Sequence, residues 1–144
     1  MKKVVASGIA VLAAATGVFA APGAEGRQAS SQGAEVYLIT PQDGETVSNP
    51  VTVVFGLKGM GVAPVGTLKE NTGHHHLLID AKKLPSLDQP IPMDDHHKHF
   101  GGGQTETSLT LAPGRHTLQL LLGDLTHIPH QPPVVSKKIT ITVK

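Results

Sequence analysis

Between Glu35 and Lys144 no long window places apolar residues at helical spacing with matching start and stop signals, so the backbone has to be satisfied through strands. β-Rich runs stand at Glu35 to Thr40 (EVYLIT), Val51 to Leu57 (VTVVFGL), His75 to Asp80 (HHLLID), Thr107 to Leu111, Arg115 to Leu122 and Val134 to Val143. The last alternates cleanly through Ile139-Thr140-Ile141-Thr142-Val143. Gly- and Pro-containing segments separate the runs, and the Ala112-Pro113-Gly114 turn predicts a hairpin between the fourth and fifth. Six or seven short strands over residues 35–144 predict an all-β domain, a small antiparallel immunoglobulin-like β-sandwich. The chain has no Cys and no Trp, so the likeness to immunoglobulin domains is one of architecture.

The segment before this domain reads differently. Lys2 and Lys3 precede an apolar run of small residues from Val4 to Phe19, and Val18-Phe19-Ala20 suits cleavage after Ala20, so residues 1–20 are expected to be a signal peptide. Residues 21–34 (APGAEGRQASSQGA) have the composition of a flexible linker, and residues 35–144 form the domain. No later run is long and apolar enough to span a membrane, so the mature chain is expected in the periplasm, or otherwise secreted. Without Lys2 and Lys3 it carries ten basic against eleven acidic residues, which argues against nucleic acid as a partner. Missing Cys excludes disulfides, thiolate metal sites and Cys nucleophiles, and the 3% aromatic content argues against stacking platforms.

Histidine carries the chemical signal. Six of the nine histidines fall between residues 74 and 99, and His127 and His130 follow the fifth run. Imidazole is neutral near physiological pH and is the commonest metal-ligating side chain, so converging histidines bind divalent transition metals without prior deprotonation. Strand period two places His74 and His76 on one face, with Asp80 further along it, and His75 on the other face with Leu77 and Ile79. His97 and His99 repeat the spacing in a long loop after Met93, Asp94 and Asp95, while Asp124 accompanies His127 and His130. The candidate ligands are His74, His76, His97, His99, His127 and His130. Asp80, Met93, Asp94, Asp95 and Asp124 are further ligands or hydrogen-bond acceptors for the imidazoles. His116 is in phase with Leu118, Leu120 and Leu122 and, like His75, reads as a core or rim residue; His96 has no assigned role. Met60 reads as packing, and Gly101-Gly102-Gly103 as backbone freedom for a loop folding back.

Several stretches, among them Thr72-Gly73-His74-His75-His76-Leu77-Leu78-Ile79-Asp80, His99-Phe100-Gly101-Gly102-Gly103-Gln104-Thr105-Glu106 and Pro113-Gly114-Arg115-His116-Thr117, resemble a family of small exported bacterial proteins known as a domain of unknown function. The resemblance covers residues 35–144 and implies no activity.

The reading that follows is an exported protein that binds copper or zinc through its histidines as buffer, carrier or chaperone, with the ion, and another envelope protein, as partners. An alternative is a non-catalytic envelope accessory or interaction domain whose His–Asp network is structural or pH-sensing. A small metallohydrolase with Glu106 or an aspartate as general base ranks last, because no His-Glu-x-x-His or similar signature is present.

Overall fold

The computed structural model of the chain describes residues 26–144. The expected signal segment and the first residues of the expected linker lie outside the described residues. Within the remainder of that linker, the Ser30 N–H donates to Gln131 O at 3.1 Å, the Gln131 N–H donates to Gln28 O at 2.9 Å, and Arg27 donates to Pro129 O at 2.9 Å.

The described chain is all-β, with two sheets facing one another. Strands β1 (Glu35–Thr40), β3 (Val51–Lys58) and β7 (Glu106–Leu109) form one sheet in the order β1-β3-β7. The second sheet contains β2 (Thr46–Val47), β9 (Ile139–Val143), β8 (Gly114–Gly123), β5 (Thr72–Ile79) and β4 (Gly61–Val62) in that order, and β6 (His97–His99) also pairs with β5. Pairing is antiparallel except at the two short strands, β2 beside β9 and β4 beside β5. The expected strands are present, with β5 beginning at Thr72 and the last one shortened to Ile139–Val143.

One expectation is corrected. The strands flanking Ala112-Pro113-Gly114 do not form a hairpin, because β7 pairs with β3 in one sheet while β8 pairs with β5 and β9 in the other. Turn composition predicts that the chain reverses there; it does not say whether the two arms bond to each other or step from sheet to sheet, as they do here. A second difference concerns His97 and His99, expected in a loop, which lie on β6.

Alternation builds the core between the sheets. Val51, Val53 and Phe55 of β3 and Val36 of β1 meet Leu77 and Ile79 of β5, Leu118, Leu120 and Leu122 of β8, and Ile139, Ile141 and Val143 of β9. His75 points into this core, fully buried, with its ring tilted against Phe55 at a centroid distance of 5.1 Å. His116 lies at the rim, bonded through Nδ1 to Asp80 at 2.7 Å and through Nε2 to Ala112 O at 2.8 Å.

The second sheet is covered on its outer face too. Leu78 and Leu121 pack there against Ile91, Ala81, Leu84 and Val135, which come from the connections after β5 and β8. All eight residues of β5 are therefore buried. Leu120 has no exposed surface and joins both sheets' apolar faces. Leu120→Ala is expected to lower stability by about 2–5 kcal/mol, the usual range for emptying a packed core position, read as a lower denaturant midpoint at unchanged slope.

Candidate metal centre

The site starts from the period of β5. Alternation sends His75 inward and His74 and His76 outward, onto the face that the connecting loops cover. Cross-strand register brings the third histidine: His99 of β6 lies opposite His76, and residues directly opposite share a face. On the other side of β5, His74 stands opposite Gly123.

The fourth histidine comes from the turn after β8. The buried Asp124 accepts through Oδ1 from the Thr126 N–H at 2.8 Å, the Thr126 hydroxyl at 2.8 Å and the Ile128 N–H at 3.0 Å. These bonds close a tight loop in which His127 adopts φ +69, a left-handed conformation unusual for a residue with a side chain. The Ile91 N–H donates to His127 O at 2.8 Å and ties the loop to the layer beside it. His127 Nδ1 then lies 3.3 Å from His74 Nε2.

Two glycines make the room. A Cβ on Gly123 would sit 2.7 Å from His76 Cε1, and one on Gly101 would sit 2.6 Å from His99 Nε2, both closer than atoms approach. Side chains at either position would displace the imidazoles. Sequence reading gave Gly101 a backbone role and Gly123 none; at Gly123 the neighbour that fills the space, His76, is distant in the chain.

His74, His76, His99 and His127 each offer one ring nitrogen, and these four atoms all lie within 4.8 Å of one another. The six ring-centroid distances run from 4.7 to 6.0 Å. Both nitrogens of His76 and Nε2 of His99 are buried without a hydrogen-bond partner. A neutral imidazole always has one N–H and one lone pair, so His76 leaves both unsatisfied.

Burial and mutual repulsion disfavour the charged forms of His74, His76 and His99. Burial chiefly, then His99 and His127, lower the pKa of His74 to about 4 against a raising effect of Asp124. His76 is lowered to about 2 by burial and by His74, His99 and His127, and His99 is lowered by burial and His127. In the core behind them, burial lowers His75 to about 4. The four rings turn nitrogens toward a common space, with His74 and His127 hydrogen-bonded to each other and His76 unpartnered, a donor set that could hold a metal ion.

The remaining candidates lie elsewhere. His97 Nδ1 is bonded to Asp94 Oδ1 at 2.8 Å, and its Nε2, buried without a partner, is outside the four-nitrogen group. His130 donates Nε2–H to Thr72 O at 3.0 Å and lies against Gly73, which alternation places on the core side of β5, opposite the cluster. Asp80, expected beside His74 and His76, turns away past the end of β5 with φ +54 and binds His116 and the Thr117 N–H. Asp95 is exposed near Lys98, and Met93 is 66% exposed. Asp124 shapes the His127 loop. Glu106 lies on β7, in the other sheet.

A family model described as Domain of unknown function (DUF4399) matches residues 53–144. The chain belongs to this family. The matched span contains all four clustered histidines and both glycines that accommodate them. No curated protein and no solved structure matches the chain.

The lowered histidine pKa values fix a pH dependence. Below the ordinary value of 6.5 the unfolded chain takes up protons at His74, His75 and His76 that the folded chain refuses, so stability falls as pH falls. The loss should run from 6.5 to about 4 for His74 and His75 and further down for His76, with a slope of roughly 1.4 kcal/mol per pH unit for each histidine kept neutral. Denaturant midpoints of the metal-free protein that stay level between pH 7 and 5 would contradict it.

Proposed function

We propose that this is an exported protein that binds a divalent transition metal, copper or zinc, through His74, His76, His99 and His127, and that it buffers or carries the ion outside the cytoplasm. The observation that carries the reading is the convergence of four imidazoles from two strands and a loop, their ligand atoms within 4.8 Å, around a His76 with no hydrogen-bond partner of its own. Burying unpaired polar groups costs about 1–3 kcal/mol each, and a bound cation offsets that cost by taking the lone pairs. The N-terminal sequence, with its basic start and apolar run, supports export. The partner would be the ion itself and an envelope protein that supplies or receives it.

The second reading, a structural or pH-sensing His–Asp network in an envelope accessory domain, draws on the Asp94–His97 and Asp80–His116 pairs. It leaves the four-histidine group without a role, since none of the four is hydrogen-bonded to a carboxylate. The two readings part on thermal stability. With metal in hundredfold excess over Kd, the protein should gain about 2.7 kcal/mol and melt higher; the second reading expects a melting temperature indifferent to metal.

Protein purified without a histidine tag is expected to take up about one Zn²⁺ or Cu²⁺ per chain at micromolar affinity or better. Replacing His76 and His127 together by Ala should abolish uptake, while His97→Ala and His130→Ala should retain it. A chain that takes up no Cu²⁺, Zn²⁺ or Ni²⁺ would sink the proposal.

A further inference from the structure

The shape of the four-imidazole group narrows the ion. With a metal at about 2.0–2.1 Å from each nitrogen, and each ring centre just over about 1 Å beyond it, four tetrahedral imidazoles place their centroids about 5.2 Å apart on all six edges. A square-planar set would give four edges of about 4.5 Å and two opposite edges of about 6.4 Å that share no ring.

The observed edges decide between the two. His74–His76 and His99–His127 are both 4.7 Å, His74–His99 is 5.0 Å, His76–His99 is 5.1 Å, His74–His127 is 5.2 Å and His76–His127 is 6.0 Å. The edge opposite the long one, His74–His99, measures 5.0 Å where a planar set needs a second long diagonal. The rings are therefore arranged as a tetrahedron with one stretched edge. That edge joins His76, fixed on the central strand, to His127, the one histidine of the four carried by a loop. His74 Nε2 and His127 Nδ1, hydrogen-bonded at 3.3 Å, stand at the separation of about 3.3–3.4 Å that a tetrahedral ion requires of its nitrogens, whereas the four ligand atoms together spread to 4.8 Å and have to draw inward around an ion.

We infer that the site is built for a four-coordinate, closed-shell ion, Zn²⁺, rather than for Cu²⁺ or Ni²⁺. This rests on the metal-binding reading above. Zn²⁺ has no geometric preference of its own and accepts the tetrahedron, whereas Cu²⁺ and Ni²⁺ with nitrogen ligands favour tetragonal or planar fields. Cu⁺ would also accept a tetrahedron, but it is favoured by thiolate or thioether sulfur, and the group contains imidazoles alone. The packed sheet resists rearrangement: His74 and His76 share one strand, His99 is registered against it, and Gly101 and Gly123 leave space for the rings only where they stand. Filled by four histidines, a tetrahedral ion has no free position, which suits holding and handing over an ion.

The full chain without a tag, freed of metal, tests this directly. Titrated with Co²⁺ as a spectroscopic substitute, it should show the intense visible bands of a four-coordinate ion. In competition against a chromophoric chelator, Zn²⁺ should bind at least tenfold more tightly than Ni²⁺, inverting their usual order. Cu²⁺ should give an electron paramagnetic resonance spectrum with the reduced copper hyperfine splitting of a tetrahedrally distorted site. Weak six-coordinate Co²⁺ bands with Ni²⁺ bound as tightly as Zn²⁺, or a tetragonal Cu²⁺ spectrum, would overturn the inference while leaving metal binding intact. Uptake of none of these ions would instead remove the reading beneath it.

Discussion

The burial of β5 on both faces is the constraint on which the rest of the molecule depends. A strand between two packed layers carries its side chains without water, and on the inner face Leu77 and Ile79 pack against the opposing sheet while His75 lies tilted against Phe55 with both ring nitrogens unpartnered. The outer set is His74, His76 and Leu78. Leu78 has an apolar cover from Ile91 and Leu121, but the two imidazoles are sealed beneath the same layer with polar atoms that no backbone group reaches in the case of His76. Packing forces four ring systems to share one space, and that shared space lowers the pKa values of His74, His76 and His99 and gathers nitrogens that could hold a cation.

Division of labour between sheet and loop follows. Three of the four rings are placed by hydrogen-bonded register, which leaves them little latitude. His127 is placed by Asp124, whose single carboxylate oxygen gathers three donors to form the turn. The left-handed φ of His127 is a local strain of the kind that persists only where the surroundings over-determine it. The longest edge of the histidine tetrahedron runs between these two kinds of support, so adjustment to an ion falls on the loop and not on the sheet. The anchoring of residues 27–30 on Pro129 and Gln131 stiffens the far side of the same turn.

Much of this was legible in the residues. The absence of helical period, the alternation of Ile139 to Val143 and the Gly- and Pro-marked gaps identify an all-β domain, and period two by itself separates His74 and His76 from His75. The route at Ala112-Pro113-Gly114 was not legible, since a turn signal is local and sheet membership is not. Neither was the fate of Asp80, which lies in phase with the two histidines only if β5 continues; the strand stops at Ile79, and the left-handed residue that follows sends its carboxylate to His116.

The sequence by itself determined the donor chemistry. Lacking cysteine and rich in histidine, the chain offers imidazole and carboxylate ligands and few thioethers, and spacing alone assigns faces within each strand. Which histidines meet was decided by tertiary structure. His99 enters because β6 pairs with β5, and His97, two residues away, is taken by Asp94. His127 and His130 are three residues apart, yet the turn carries them to opposite faces of the same strand. Spacing along a chain fixes direction only within a regular element; across elements, convergence depends on register, on the turn that Asp124 holds, and on Gly123, whose missing side chain leaves room for the ring of His76 far away in sequence.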